Sequence, residues 1–336
     1  MATSRSLKNK RKKKRTRRIW LLSILIFLLL GVGYIIFEYQ AGKKAAMGQI
    51  GNKTSENEQE FDENFQGADN KDNKIYVLLL GVDSRGEEVS RTDTIMIGQY
   101  DPDNQTAKLV SIMRDTYVEI PGYQPNKINA SFAFGGPELL RKTIAKNFGI
   151  ETEYYAIVDF KGFTQIVDTI APDGVEVNVE KRMFYSDRNA TTYIDLYPGV
   201  QKLDGEQLLD YARFRNDSES DFGRVRRQQE VISLLKDELI SLNGVVKAPR
   251  LIGTIQPFIK TNMGSTKMFS LGTDFLLNPP DDIESFRIPV EGSYWDKTHS
   301  HAGAVLEIDK QMNIDALNEF FNEKDATEEA STSSTE

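Results

Sequence analysis

The chain contains no cysteine and only two histidines, His299 and His301. Without cysteine there are no disulfides, no thiolate nucleophile and no thiolate metal site. With both histidines near the C-terminal end, neither a Ser-His-Asp triad nor a histidine-rich zinc site is expected in the main domain. The pair could share a metal, but two surface histidines in a loop are ordinarily inert. Acidic residues are missing altogether before Glu38, so the rest of the chain is more acidic than the formal net charge of −8 conveys. An acidic domain is a poor generic partner for nucleic acid, and no direct nucleic-acid contact is expected.

What stands at the N-terminus instead is basic. Residues 1–18 form a Lys/Arg-rich tail, and 19–37, from Ile19 to Phe37, carry no charge. At about 1.5 Å per residue that run reaches about 28 Å, close to a hydrocarbon core. Trp20 and Tyr34 stand near its ends, where amphipathic rings favour the interface. The run is longer than the apolar part of a cleaved signal peptide, and Glu38-Tyr39-Gln40 does not resemble a cleavage site. The expectation is an uncleaved signal-anchor with a cytoplasmic N-terminus and the C-terminal domain outside. The basic tail also fits a nucleic-acid patch, but its place directly before a span makes a topogenic role the better reading.

Residues 38–73 read as a polar tether, either a flexible spacer or a weak helix. Residues 324–336, rich in Asp, Glu, Ser and Thr, read as a disordered acidic tail. Between them, 74–323 reads as one α/β domain with a central mixed β-sheet flanked by helices. Ile75–Gly81 is a short apolar run ending in glycine, a buried strand. Thr94–Tyr100 and Lys108–Met113 are strands joined by the turn Asp101-Pro102-Asp103-Asn104. Gly136-Pro137-Glu138 opens a helix to about Phe148. Tyr154–Val158 and Gly174–Val179 are strands, with a helix over Phe160–Ile170 between them. Asp204 caps a short helix through about Tyr211, and a long helix begins near Gly223. Further helices are expected near 246–259 and 266–277, and a last strand near Ser285–Pro289.

Carboxylates and guanidinium groups carry whatever chemistry is present. Asp83 directly follows the first strand and Asp93 directly precedes the second, so both fall toward one edge of a sheet. Two carboxylates without histidine suit a hard cation such as Mg²⁺. Turns and caps use the same residues, and spacing alone favours that blander role. Arg114 ends the third strand. Arg213 and Arg215 flank Phe214, and an extended backbone there would put both arginines on one side. Arg224 and Gln228 share a helix face, with Arg227 beside them. Arginine is the residue of bidentate phosphate recognition, although such a set also occurs as scattered surface ion pairs. Lys127 by itself reads as a surface residue.

Taken in order, the blocks LLLGVDSR, SRTDTIMI, VSIMRDTYVEIPG, NKINASFAFGGPELL, YYAIVDFKGF, LDGEQLLDYARFRND and DFGRVRRQQEVI resemble the LytR-CpsA-Psr family over residues 75–242. The resemblance implies a sheet with a hydrophobic tunnel for a polyprenyl chain. It also implies a phosphotransferase that moves a glycopolymer, such as wall teichoic acid or capsule, from an undecaprenyl-diphosphate carrier to the C6 hydroxyl of N-acetylmuramic acid in peptidoglycan. By motif, Asp83 and Asp93 fall on carboxylates that hold Mg²⁺. Arg114, Arg213, Arg215, Arg224 and Gln228 fall on diphosphate-binding positions, with Arg91, Lys127 and Arg227 as additions and Arg114 also in a catalytic role. The resemblance leaves open a cell-envelope regulator acting indirectly, and a non-catalytic polyprenyl-phosphate binder or pyrophosphatase. Residues 245–321 carry no motif and read as scaffold or acceptor surface.

Overall fold

A computed structural model describes residues 2–48, 64–68, 73–83, 92–187, 192–241 and 248–322. Most of the tether, Arg91 and the acidic tail lie outside the described residues.

Helix α1 (Ala2–Met47) holds the basic tail, the apolar run and the first part of the tether in one element. Within the run, Phe27, Leu29, Leu30 and Phe37 are exposed to whatever surrounds the helix. A helix that shows large apolar side chains outward, with no protein against them, is a candidate membrane anchor.

The central sheet has five strands in the order β11-β3-β2-β1-β6. These are β1 (Ile75–Val82), β2 (Thr92–Asp101), β3 (Thr106–Ile112), β6 (Tyr154–Asp159) and β11 (Ile283–Ile288). The three strands β1 to β3 meander antiparallel, while β6 runs parallel to β1 and β11 parallel to β3. The sheet is therefore mixed, as expected, and the apolar run of β1 sits at its interior, where both edges are paired.

The two faces of this sheet differ. Leu78, Leu80, Ile95, Ile97, Val110 and Ile112 point to one face and are fully buried. They pack on Leu140, Ile144 and Phe148 of α2 (Ile128–Phe148) and on Leu317 and Phe320 of α8 (Lys310–Asn322). On the other face Val77, Leu79 and Gly81 of β1, with Ala156 and Val158 of β6, remain half-buried. That face is covered by α5 (Ser220–Ser241) and α7 (Ser265–Leu277), through Gln229 to Ser111 at 2.9 Å and Tyr100 to Asp274 at 2.8 Å. Apolar side chains on an interior strand, beneath a helical layer, stay accessible only if the layer stands off from the sheet.

Helix α2 is two helices joined across a kink, where Gly135 and Gly136 leave helical geometry and Gly136 adopts φ 62°. The second opens at Pro137 and runs to Phe148, as expected, since a proline in a first turn forfeits no helical hydrogen bond. The turns before the kink, from Ile128, were not expected. Helix α3 (Phe160–Ile170) starts where expected, capped by Asp159, whose Oδ1 accepts from the Gly162 amide at 2.6 Å. Helix α4 (Gly205–Arg213) carries a full capping box. Asp204 accepts from the Gln207 amide at 2.9 Å, and Gln207 accepts from the Asp204 amide at 3.2 Å.

A second core forms between α3, α4, α5 and the pair β7 (Val175–Val179) and β10 (Gly199–Leu203), around Val167, Val177, Leu208, Tyr211 and Phe214. On α4, burial pushes the Asp210 carboxyl up to about 6, helped by Glu206 and Asp204 and opposed by Arg213. A folded-state pKa above the unfolded one stabilises fully below the ordinary carboxylate range and is lost as pH rises through about 6. Asp210→Asn is expected to raise the melting temperature at pH 8 and to leave it unchanged at pH 4, which thermal melts at both values will check.

Three hairpins escaped the sequence reading because each strand is short and half polar. They are β4 (Tyr117–Val118) with β5 (Asn126–Lys127), β8 (Met183–Ser186) with β9 (Tyr193–Leu196), and β12 (Tyr294–His299) with β13 (Gly303–Ile308). The last gathers the histidines. His299 stacks on Tyr117, with ring centroids 4.3 Å apart, and sits 2.8 Å from Glu307. Of the helix expected near 246–259, the described part folds as α6 (Ala248–Ile255) followed by a 3-10 turn, Gln256–Phe258.

Candidate functional site

The site begins with an irregularity in a strand. Gly81 pairs with Thr94 but Val82 pairs with Thr92, so Asp93 is an extra residue bulged out of β2. A bulge of this kind re-aims a side chain at the end of a ladder. The Thr92 hydroxyl, fully buried, lies 2.8 Å from the Gly81 carbonyl and 2.7 Å from the Thr94 carbonyl, pinning both sides of the bulge. Glycine at 81 is what leaves room for Thr94: a Cβ there would come within 3.0 Å of its Cβ and Oγ1. Thr94 Oγ1 in turn accepts from Gln228 Nε2 of α5 at 2.9 Å.

Into the space beside Asp93 come three arginines from separate elements. Arg114, two residues past β3, binds Asp93 and reaches Asp115 at 3.3 Å and Asp221 at 3.9 Å. Arg215, in the link from α4 to α5, lies 3.8 Å from Asp93 and 3.4 Å from Asp221. Arg224, on the second turn of α5, lies 3.3 Å from Asp221. Lys127 joins from β5 through Asp115, at 2.6 Å. Asp83 follows β1 directly, at the same edge of the sheet as Asp93.

The members differ in how well their charge is met. Burial works against the charged form of Arg114, but Asp93, Asp115 and Asp221 outweigh it and raise its pKa. Burial likewise opposes the Asp115 carboxylate, and Lys127 and Arg114 overcome it and hold its pKa low. Arg224 is the exception. Its side chain is 2% exposed, and neither Nε nor Nη1 finds an acceptor. Burial, with Arg215 and Arg114 close by, pushes its pKa down to about 10 despite Asp221. A buried cation with unmet donors is costly; an anion with several acceptor oxygens would satisfy it.

Not every expected residue joins this cluster. Arg213 ends α4, so the backbone is not extended there, and its guanidinium lies 4.1 Å from the centroid of Phe160. Phe214 turns into the second core. Arg227 is fully buried on partners of its own: it pairs with Asp217 at 3.0 Å, donates to the Phe214 carbonyl and lies over the Phe214 ring. That arrangement braces the link carrying Arg215. Asp115, Asp221 and Thr94 were missed from sequence. Asp221 precedes the expected helix start near Gly223, but it sits in the first turn of α5, three residues before Arg224, and that spacing was the available signal. Among the described residues no group of three or more His, Asp or Glu is arranged to hold a metal. A divalent cation here would rest on Asp83, Asp93 and the oxygens of a ligand, the way Mg²⁺ is ordinarily held. Asp93 Oδ2, 3.8 Å from Arg215, lies outside hydrogen-bonding range of that group and is compatible with such a role.

Gly81→Ala is expected to push Thr94 aside, break its hydrogen bond to Gln228 and destabilise the fold by about 1–3 kcal/mol, the usual cost of overpacking. Thermal melts of parent and variant will read it.

The fold is a mixed sheet flanked by helices on both faces, with arginines and carboxylates gathered at one end of its strands and a candidate membrane anchor in front. The profile of the LytR_cpsA_psr family matches residues 34–316, and the chain belongs to that family. It is similar to the regulatory protein MsrR of Staphylococcus aureus (strain COL), 44% identical over 259 residues, 77% of this chain and 78% of that one. It is also similar to the polyisoprenyl-teichoic acid–peptidoglycan teichoic acid transferase TagU of Bacillus mycoides (strain KBAB4), 29% identical over 81% of this chain and 87% of that one. Among solved structures it is similar to TagT bound to LIIa-WTA, with a TM-score of 0.60 and 26% identity over 77% of this chain and 93% of that one.

Proposed function

We propose that the protein transfers a teichoic acid or similar glycopolymer from a polyprenyl-diphosphate carrier to peptidoglycan, outside the membrane in which α1 anchors it. The observation that carries this reading is Arg224: a buried guanidinium with unmet donors, beside Arg114 and Arg215, is a site prepared for a polyanion. The half-buried apolar face of β1 and β6 supports the second half, since it leads away from Thr94 and Gly81 beneath the helices and offers a polyprenyl chain a path out of water. TagU, named for this transfer, and the TagT structure bound to LIIa-WTA agree with the assignment.

In this reading Arg114, Arg215, Arg224 and Gln228 grip the diphosphate, with Arg213 and Lys127 at the periphery. The hydroxyl oxygen of the acceptor sugar forms a bond to the phosphorus that bears the glycopolymer. The bond from that phosphorus to the bridging oxygen breaks, and the lipid phosphate leaves with the electron pair. The acceptor proton passes to a carboxylate, Asp83 or Asp93. Arginines placed before the reaction stabilise charge on the leaving phosphate without reorganising. Mg²⁺ held by Asp83, Asp93 and the diphosphate would add charge neutralisation. Regulatory effects, as in the name of MsrR, would then follow indirectly from wall assembly.

The test is a ligation assay with the full chain in proteoliposomes, a lipid-diphosphate-linked saccharide, Mg²⁺ and peptidoglycan, read as a covalent phosphodiester product. Asp93→Ala and Arg114→Ala are each expected to lower the rate by about 10²–10³-fold, the usual cost of removing one transition-state charge partner, with melts near that of the parent. Chelation of divalent ions should stop the reaction. Two fully active variants would overturn the reading.

A further inference from the structure

The lower part of α1 does not leave the domain on a loose tether. Residues 38–47 continue the helix and dock on α6. Tyr39, Gly42 and Ala46 fall on one face at helical spacing, and Gly42 and Ala46 are buried. The crossing is close because both partners are small. A Cβ on Gly42 would run into the Arg250 carbonyl and the Thr254 side chain, and one on Gly253 would run into the Tyr39 carbonyl. Tyr39 Oη also bonds Gln256, and Glu38 lies 3.8 Å from Arg250. Small-xxx-small crossings of this kind let two backbones approach without a polar gap.

Tyr39 stands only two residues past Phe37, the last of the uncharged run, or about 3 Å of helix rise. Whatever touches Tyr39 therefore sits at the depth of lipid headgroups if α1 spans. The segment that touches it is unlike the rest of the domain. Ala248–Leu277 contains a single acidic residue, Asp274, against Arg250, Lys260 and Lys267, and those three basic residues are exposed. Its apolar residues Leu251, Ile252, Ile255, Phe258, Phe269 and Phe275 are only half-buried, and α7 has no fully buried residue at all. Helices with an apolar body and a basic rim lie in the surface of an anionic bilayer.

We infer that α6, the 3-10 turn and the start of α7 rest on the anionic headgroup surface of the bilayer, locked to the anchor by the Gly42–Gly253 crossing. The inference rests on α1 being a span and is otherwise independent of the transfer chemistry. It has a structural consequence for the site. Lys260 pairs with Ile157 of β6 at 2.8 and 3.0 Å, and Phe258 packs against Gly162 of α3. The seated turn is thereby one element away from Phe160 and the Arg213 above it, so the bilayer fixes how the diphosphate site faces its donor.

The absence of native cysteine makes the test direct. The full chain, with one cysteine at a time carrying a polarity-sensitive fluorophore, is reconstituted into vesicles of phosphatidylglycerol and phosphatidylcholine that bear nitroxides both at the headgroup, to quench a surface label, and near the end of the acyl chain, to quench a label at the midplane. Labels are placed at Thr266 in α7, at Val200 on β10 and at Leu29 within the run. Thr266 and Leu29 are expected to lose most of their emission and Val200 none. The Thr266 loss should shrink in vesicles of phosphatidylcholine alone. It should also disappear in Gly253→Leu and in Lys260→Glu/Lys267→Glu, with Leu29 still quenched and the melt retained. Quenching at Thr266 no greater than at Val200, with Leu29 quenched, overturns the seat; an unquenched Leu29 overturns the span on which it depends.

Discussion

Arg224→Met is expected to abolish diphosphate binding and at the same time to make the protein more stable. Methionine matches the length and apolar stem of arginine without its charge. The guanidinium it removes is 2% exposed, with Nε and Nη1 unpartnered. Its pKa, pushed down to about 10 by burial and by Arg215, still leaves it protonated at neutral pH, so the penalty is present in full. Asp221 keeps Arg215 at 3.4 Å and Arg114 at 3.9 Å when Arg224 is gone. Relief of unmet buried donors is worth about 1–3 kcal/mol, or roughly 2–4 °C for each kcal/mol in a domain of this size. Calorimetric titration with an isoprenyl diphosphate should show no binding, and scanning calorimetry a higher melt. A variant that melts several degrees lower would show that the arginine is held by the fold and not reserved for a ligand.

Arg227→Met is expected to do the opposite, although the two arginines lie three residues apart on α5. Arg227 is 1% exposed and faces Asp217, itself 4% exposed, at 3.0 Å. Removing one member of a buried pair strands the other, at about 3–5 kcal/mol. Lys181, 3.7 Å from Asp217, is half in solvent and replaces little of the lost charge. The pH dependence gives a second check. Burial opposes the Asp217 carboxylate, but Arg227, the Ser220 amide and Lys181 hold its pKa low. A depressed carboxylate stabilises above its unfolded pKa and loses that contribution as pH falls through the folded one. The gap in melting temperature between parent and variant should therefore close in acid. An unchanged gap from pH 7 down to the acid limit would mean that the pair is not the source of the effect.

This contrast marks where sequence reasoning stopped. The spacing of Arg224 and Gln228 puts them on one helical face, and the structure does so. Arg227, read beside them, instead found the Asp217 link, because a helix position fixes direction but not which loop folds back to meet it. The strands read as Ile75–Gly81, Thr94–Tyr100 and Lys108–Met113 were legible because short apolar runs bounded by turn residues fit buried strands, and their ends placed Asp93 and Arg114 within reach. The bulge that turns Asp93 was not legible: it depends on a one-residue offset in register, which leaves no mark on composition. The same limit hid the short hairpins, whose half-polar strands match loops until a neighbour pairs with them. The polar stretch after Phe37 had read as spacer or weak helix; its first ten residues continue α1, where Gly42 meets Arg250 and Thr254 and Tyr39 meets Gly253, partners far away in sequence.

The last strand of the sheet arrives late. β11 closes the edge beside β3, its Ile288 carbonyl accepts from the Met113 amide, and Leu306 of β13 donates to the Asp115 carbonyl. Every arginine of the cluster is translated before any of these three contacts can form. A nascent or truncated chain ending short of residue 283 would thus display the complete set of recognition motifs on an open-edged, unclamped scaffold. Competence would then depend on residues 245–321, which carry no motif, and fragments designed around the motif blocks alone should be inert and prone to self-associate through the bare edge.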